Sequence, residues 1–165
     1  RMKLRPMTRA DVPAFAPVFR EIVDAGETYA YPEDLPDNAI ADLWMEGAPG
    51  RAVVAIDDDG TFLGAAKMGP NRPGRGAHIG TASFMVSSAA RGKGVGRALA
   101  RDMIDWHRRQ GYAGIQFNAV VETNMAAVRL WQDLGFRILG TVPGAFRSAT
   151  HGPVGLHVMF LDLSS

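Results

Sequence analysis

Glycines and basic residues follow an apolar segment in the middle of the chain. The segment Phe84–Val86 is typical of a strand, and Arg91-Gly92-Lys93-Gly94-Val95-Gly96-Arg97 follows it with glycine at every second position. Val95, Leu99 and Met103 recur every four residues, which predicts that a helix begins at this turn. Glycine lets a backbone approach a ligand closely, and the first amides of a helix are unpaired and partly positive. The spacing therefore predicts an anion site suited to phosphate.

Two familiar phosphate loops do not fit these residues. A Walker loop needs Ser or Thr after Gly-Lys, whereas Gly94 follows Lys93. A dinucleotide fingerprint needs a further glycine at the position of Arg97. The remaining pattern Arg-x-x-Gly-x-Gly resembles the coenzyme A pyrophosphate loop of the GCN5-related N-acetyltransferases. A glycine-rich turn with solvated basic residues is the alternative interpretation.

A second motif lies downstream, in Asn124-Met-Ala-Ala127-Val-Arg-Leu130-Trp131-Gln-Asp-Leu-Gly135-Phe136. It resembles the pattern Asn-x-x-Ala-x-x-Leu-Tyr-x-x-x-Gly-Phe of the same family. The resemblance implies an α/β fold of the GNAT type, with a central mixed sheet of about seven strands and helices on both faces. It also implies acetyl-CoA as the cofactor and a small-molecule amine as the acceptor.

The resemblance also implies a set of cofactor-binding residues. The backbone of Phe84 to Val86 would pair with the pantetheine arm, and donors near Met85 and Val86 would stabilise the oxyanion. Asn124 would reach the region of the sulfur, or cap its own helix. The cofactor-binding residues are then Phe84, Met85, Val86, Arg91, Gly92, Lys93, Gly94, Val95, Gly96, Arg97 and Asn124.

Trp131 departs from the family pattern, which has a tyrosine there to protonate the leaving thiolate. An indole is only a weak neutral donor, so Trp131 is predicted to be a packing residue. The acceptor amine must lose a proton before it attacks. Three residues are candidates for the base or for a water relay that accepts this proton, namely Glu27, His78 and Glu122.

Asn118 is the predicted catalytic residue, because a carboxamide is out of place in the apolar strand pattern around it. If it is buried, it needs partners, either in neighbouring loop backbone or in a ligand, as the acceptor or the thioester carbonyl. A closer resemblance, to fungal enzymes that acetylate proline analogues, depends on Pro70-Asn71, Gly74-Arg75, His78-Ile79, Phe117-Asn118, Thr123-Asn124 and Trp131. The predicted acceptor-binding residues are Glu27, Tyr29, Tyr31, Asn71, Arg75, His78 and Arg147.

Composition limits the function classes. The chain has 165 residues, enough for one domain over residues 1–165, and a net charge of +1, which gives no support for nucleic-acid binding. Because cysteine is absent, disulfides, thiolate metal sites and an acyl-cysteine intermediate are excluded. No metal site and no membrane span is expected, and we expect a cytoplasmic protein. A homodimer is left open.

The chain pattern predicts one strand, two helices, three strands, a helix, a strand, a helix and two strands. The predicted segments are a strand at 3–5, helices at 8–26 and 37–46, strands at 51–56, 61–68 and 77–86, a helix to 110, a strand at 113–121, a helix at 124–134, and strands at 137–142 and 155–163 joined by a loop rich in Gly and Pro.

The function predicted from these features is an acetyl-CoA-dependent N-acetyltransferase of small molecules. The acceptor, an amino or imino acid, would attack the thioester directly in a ternary complex. Two other functions remain open at this point, an acyl-CoA-binding module with little catalysis and an N-acetyltransferase of proteins or peptides.

Overall fold

A mixed sheet of seven strands organises the molecule, whose computed structural model describes residues 1–164. The strands are β1 (Lys3–Pro6), β2 (Arg51–Ile56), β3 (Phe62–Pro70), β4 (Ile79–Val86), β5 (Gly114–Val121), β6 (Arg137–Ser148) and β7 (Gly152–Asp162). Their spatial order is β1-β2-β3-β4-β5-β7-β6. All neighbouring strands are antiparallel except β4 and β5, which are parallel.

Helices cover both faces of this sheet. The helices are α1 (Val12–Ala25), α2 (Asp37–Trp44), α3 (Val95–Gln110) and α4 (Met125–Asp133). In α1, Phe15, Phe19 and Val23 recur on one face and are buried with α2 against Ala65 and Met85 of the sheet. In α3, the repeat that begins at Val95 packs with α4 on the opposite face. The predicted mixed sheet with helices on both faces is confirmed.

The parallel strands β4 and β5 separate soon after they meet. They pair at Ile79–Gly114 and Gly80–Ile115 only, although both strands continue well beyond these residues. The backbone edge of β4 from Thr81 to Val86 is therefore left without a strand partner on the β5 side. This opening is the feature of the fold that creates the candidate site.

The predicted order of elements is confirmed, but the prediction of a Gly- and Pro-rich loop after Val142 is wrong. β6 continues through Pro143 and Gly144 to Ser148, and only three residues separate it from β7. The pairing of β6 with β7 shifts register between Val142 and Phe146. Because β6 is an edge strand, a bulge accommodates a proline that lacks the N–H of a regular ladder. Within residues 1–164, no helix has the length and apolar character needed to cross a membrane.

Candidate active site

A cavity of about 670 Å³ lies where β4 and β5 separate. It runs from the glycine-rich turn, along the open edge of β4, to Asn118 on β5. Within residues 1–164, Arg91 is the one charged side chain in its lining. Its lining includes Tyr29, Thr81, Ser83, Phe84, Val86, Arg91, Gly92, Gly94, Gly96, Asn118, Asn124 and Trp131.

The glycine-rich turn forms one end of the cavity with bare backbone. Gly92 and Gly94 have φ angles of +80° and +74°, in the left-handed region that favours glycine. No other heavy atom lies within 4 Å of the position that a Cβ would take at either residue. Gly94 is the N-cap of α3, so the amides of Val95, Gly96 and Arg97 are the ones that lack an intrahelical acceptor. The predicted anion site thus has its amides at the cavity.

The basic side chains of this turn separate into two groups. Arg91 lines the cavity. Lys93 lies 3.7 Å from a carboxylate oxygen of Asp57, and Arg97 lies 3.3 Å from one of Asp133. Both ion pairs are exposed to solvent, where such pairs contribute little. Of the three basic side chains predicted to bind the anion, only that of Arg91 lines the cavity.

The open edge of β4 presents its backbone groups at every second residue. The Ser87 N–H donates to the Leu63 carbonyl at 2.8 Å, and the Asn71 N–H donates to the Ile79 carbonyl at 2.8 Å, so the odd-numbered residues of β4 face β3. Phe84 and Val86 therefore turn their N–H and C=O groups toward the cavity. The amide of Met85 faces β3, so of the two predicted oxyanion donors only Val86 is directed to the cavity.

Tyr29 occupies one of these backbone positions. Its hydroxyl accepts from the Phe84 N–H at 2.9 Å and donates to the Phe84 carbonyl. Burial raises the pKa of the Tyr29 phenol well above its ordinary value near 10, so the hydroxyl keeps its proton. Tyr31 stacks on the Tyr29 ring with 5.9 Å between centroids but does not itself line the cavity.

Asn118 lies at the other end of the cavity, within a network of carboxamides. Its Nδ2 donates to Asn71 Oδ1 at 2.7 Å, and its Oδ1 accepts from Asn71 Nδ2 at 3.3 Å and from Gln116 Nε2 at 3.0 Å. Asn118 is exposed rather than buried, so the network does not have to satisfy buried polar groups. The two predicted asparagines Asn71 and Asn118 are thus brought together where a ligand can reach Asn118.

Aromatic side chains form the wall on the α3–α4 side. Trp131 is 6% exposed and packs on Phe84, Phe117 and Phe136, with ring centroids 5.0, 4.5 and 5.6 Å away. These contacts are those of the predicted packing residue. Asn124 lines the cavity and also caps α4, since its Oδ1 accepts from the Ala127 N–H at 3.4 Å.

Several predicted acceptor residues lie outside the cavity lining. Both oxygens of the Glu27 carboxylate accept from hydroxyls, of Ser148 and of Thr150, and these bonds lower its pKa. Arg75 and His78 are exposed before β4, and Arg147 is exposed on β6. Glu122, the other candidate base, accepts from the Gly155 N–H and thereby links β5 to β7.

Thr81 and Ser83 are site residues that the sequence reasoning did not select. Residues of β4 alternate between the two faces of the sheet, and Thr81, Ser83 and Met85 share the α1–α2 face. Ala82, Phe84 and Val86 face α3 and α4. A polar residue at every second position of an otherwise apolar strand was the available signal. The cavity is therefore polar toward α1 and α2 and apolar toward α3 and α4.

These features fit the coenzyme that the resemblance implies. The bare backbone at Gly92 and Gly94 leaves room for a pyrophosphate, and the unpaired amides at the start of α3 match its charge. The backbone groups of Val86 match the amides of a pantetheine arm. The apolar wall at Trp131 borders the same space.

Comparison with known proteins finds N-acetyltransferases among the proteins that this chain resembles. The chain is 60% identical to a GCN5-related N-acetyltransferase from Kribbella flavida, with a TM-score of 0.95 over 98% of both chains. It is 39% identical over 104 residues to N-acetyltransferase aca1 of Schizosaccharomyces pombe, which covers 63% of this chain and 50% of that protein. The chain thus spans about half the length of that relative.

A third relative is matched over most of its length. It is the L-methionine sulfoximine/L-methionine sulfone acetyltransferase of Pseudomonas aeruginosa, 33% identical over 140 residues that cover 81% of this chain and 79% of that protein. Residues 16–136, which hold the glycine-rich turn, the open edge of β4 and both asparagines of the cavity, match the model of the Acetyltransferase (GNAT) family. This protein belongs to the GNAT family of acetyltransferases.

Proposed function

We propose that this acetyltransferase moves an acetyl group from acetyl-CoA to the amine of an amino or imino acid, by direct attack in a ternary complex. The observation that carries the proposal is the two-sided cavity at the separation of β4 and β5. Its apolar side continues to the amides of the glycine-rich turn, and its polar side ends at Asn118. Two ligands that enter from opposite faces of the sheet meet there at the edge of β4.

On the α3–α4 side, the chain binds and orients the donor. When bound, acetyl-CoA supplies an activated acetyl thioester. The amides of Val95, Gly96 and Arg97 and the side chain of Arg91 would hold its pyrophosphate. The N–H of Val86 would donate to the pantetheine arm, and Trp131 would exclude water from the reacting end.

On the α1–α2 side, neutral groups bind the acceptor. Asn118, supported by Asn71, offers carboxamide donors to a carboxylate, and the hydroxyls of Thr81 and Ser83 line the same side. Because the described lining includes no Asp, Glu or His, the acceptor enters as the free amine, with its proton left to water. Positioning of the two ligands then supplies much of the acceleration.

The acceptor class has support from one relative. The Pseudomonas aeruginosa protein is named for L-methionine sulfoximine and L-methionine sulfone, which are both amino acids with a free α-carboxylate. The paired carboxamides of Asn71 and Asn118 suit such a group. The more specific assignment to proline-analogue acetyltransferases stays a prediction.

The proposal is tested by release of the coenzyme A thiol from acetyl-CoA in the presence of a panel of amines. The panel holds amino acids, the imino acid proline, its methyl ester and amide, a polyamine and a short peptide. We expect the free acids to be acetylated at least tenfold more efficiently in kcat/KM than the ester and the amide. Equal rates for the neutral forms would contradict carboxylate recognition.

A second function is favoured by Trp131. It occupies the position at which the family has a tyrosine that protonates the leaving thiolate, and an indole is too weak an acid for that step. That function is an acyl-CoA-binding module with little catalysis. Calorimetric binding of acetyl-CoA without thiol release for any amine of the panel would establish it. Acetylation of the peptide alone would instead indicate a protein or peptide N-acetyltransferase.

A further inference from the structure

We propose that Glu27 restricts the acceptor to small free amines, because its carboxylate ties the connection between α1 and α2 to the turn between β6 and β7. The cavity has a donor half on the α3–α4 side and an acceptor half on the α1–α2 side. The contact made by Glu27 closes the acceptor half. The proposal rests on the proposed function, since it assumes that the acceptor binds on the α1–α2 side. Glu27 is then a specificity-determining residue that acts without touching the substrate.

The turn between β6 and β7 lies at the end of the sheet where the cavity opens. β4 and β5 are parallel and pair only near their first residues, so the gap between them is widest at their carboxyl ends. β7 is antiparallel to β5, and Leu156 is paired with Val121, the last residue of β5. The residues of β7 before Leu156 therefore extend beyond β5, and the turn stands beside the open end of the cavity.

Consecutive residues of the α1–α2 connection bind this turn through their oxygens. The Gly26 carbonyl accepts from the Ala149 N–H at 2.9 Å. The Glu27 carboxylate accepts from the hydroxyl of Ser148 with one oxygen and from that of Thr150, at 2.5 Å, with the other. Packing is equally close, since a Cβ at Gly26 would lie 2.9 Å from the Cβ of Ala149. These contacts hold the start of the connection against the turn.

The residues that follow Glu27 carry the chain across the opening. Thr28 and Tyr29 both line the cavity. The Tyr29 hydroxyl binds the backbone of Phe84 on β4, on the other side of the gap from β5. The segment 26–29 therefore runs from the β6–β7 turn to β4, over the α1–α2 face of the opening.

A closed acceptor half selects acceptors by the length of chain beyond the reacting amine. The cavity measures about 670 Å³ and must also hold the reacting end of the coenzyme, so the remaining space fits a single amino or imino acid. Each further residue of an extended peptide adds roughly 3.3 Å, and the segment 26–29 lies across its way out. The hydroxyls of Ser148 and Thr150 lower the pKa of Glu27, so the carboxylate stays charged and the contact stays closed near neutral pH.

Acceptors that differ only in length test this role. The series holds the amide of the best amino acid acceptor and the amides of the dipeptide and tetrapeptide that begin with the same residue, so none of them carries an α-carboxylate. In the wild type, kcat/KM should fall roughly 100-fold from the first amide to the last, and in Glu27→Ala the fall should be less than about tenfold. Glu33→Ala removes an exposed carboxylate of the same connection and is the matched control, which should keep the full difference.

Amide hydrogen exchange at Ala149 reports the contact without measuring activity. The Ala149 N–H donates to the Gly26 carbonyl, so it should be protected in the wild type and in Glu33→Ala. It should exchange roughly tenfold faster in Glu27→Ala. Thr150→Val keeps the shape of an exposed side chain and removes one hydroxyl. It should give intermediate results in both measurements, and it replaces Glu27→Ala if that variant does not fold.

Equal kcat/KM along the series in the wild type would overturn the proposal, and so would rapid exchange of its Ala149 amide. An undiminished preference for the short amide in Glu27→Ala, with Ala149 in rapid exchange, would also overturn it, because the contact would then be open without effect on the acceptor. These results leave the proposed function intact as long as single amino acids are acetylated. If no amine releases the coenzyme A thiol, the proposed function itself fails, and this proposal fails with it.

Discussion

Asn118 is the carboxamide that we propose to bind the carboxylate of the acceptor. Asn118→Ala removes the cavity-facing member of the pair with Asn71, and should raise the acceptor KM roughly 5- to 150-fold, which corresponds to about 1–3 kcal/mol for one hydrogen-bonding group. Steady-state kinetics with the best acceptor check this. Because Asn118 is exposed, we expect the midpoint of thermal unfolding to change little.

The matched control for this prediction is Asn118→Asp, which keeps the size of the side chain and adds negative charge. It should impair a free amino acid more than the methyl ester of that amino acid, because only the acid carries a carboxylate that is repelled. An equal rise in the KM for acetyl-CoA in either variant would show that Asn118 belongs to the donor half.

Residue-level prediction from sequence is accurate where the signal is local. A tryptophan in the place of tyrosine predicted a packing residue, and Trp131 is buried among aromatic rings. A carboxamide in an apolar strand pattern singled out Asn118, which lines the cavity, while its role in catalysis stays a prediction. Glu27 had no such signal, because its partners Ser148 and Thr150 follow it by 121 and 123 residues. Only the fold brings those hydroxyls to its carboxylate, where they occupy the oxygens that a base would need.

The start of α3 is the element that we propose to bind the pyrophosphate of the coenzyme. Gly96 lies in its first turn and lines the cavity, and a Cβ there would contact Leu130 and Val86 at 3.9 and 4.0 Å, which is ordinary van der Waals distance. Gly96→Ala should therefore fold, and gain up to about 1 kcal/mol of helix stability. The added methyl group projects into the cavity, so the Kd for acetyl-CoA should rise at least tenfold, or about 1.4 kcal/mol.

Calorimetry and thermal unfolding on the same samples separate the two effects. Gly140→Ala is the control, because Gly140 lies on β6 outside the cavity and a Cβ there would meet no atom within 4 Å. It should leave the Kd unchanged. An unchanged Kd in folded Gly96→Ala would mean that the coenzyme does not bind at the start of α3.

A helix or strand could be predicted where the residues that determine it lie close together in the sequence. The strand, turn and four-residue repeat that lead into α3 lie within twenty residues, and the structure confirms that helix. β6 was cut short at Val142 because Pro143 and Gly144 favour a loop locally. The long hairpin with β7 overrides that preference through pairs such as Phe146–Val154, which no window around Pro143 contains.

At the scale of the whole molecule, the decisive feature is the separation of β4 from β5. The sequence predicted both strands and their parallel direction follows from the crossover through α3, but nothing in either strand indicates that pairing ends at Gly80–Ile115. The cavity arises from that non-local geometry. Its residues come from the α1–α2 connection, β4, α3, β5 and α4 together.

A buried histidine joins α3 to β4 at the point where β4 and β5 still pair. His107 is fully buried, and its Nδ1–H donates to the Met103 carbonyl at 2.8 Å. Its Nε2 is buried without a hydrogen-bond partner among the described residues and lies against Gly80, where a Cβ would be 2.2 Å from that nitrogen. A glycine at position 80 is therefore required by packing, and the imidazole is held in its neutral form.

The stability of the whole fold should accordingly depend on pH through His107. Burial lowers its pKa to about 4, from an ordinary value near 6.5, so between these values the unfolded chain binds a proton that the native protein does not. The contribution of neutral His107 to the free energy of unfolding is complete above pH 6.5. It is lost as the pH falls toward 4, and the total loss is about 3 kcal/mol. Urea unfolding at pH 4.5, 5.5 and 7 measures it. His107→Leu should flatten this dependence, whereas replacement of the exposed His78 by Gln should preserve it; parallel curves for His107→Leu and the wild type would assign the acid sensitivity to other groups.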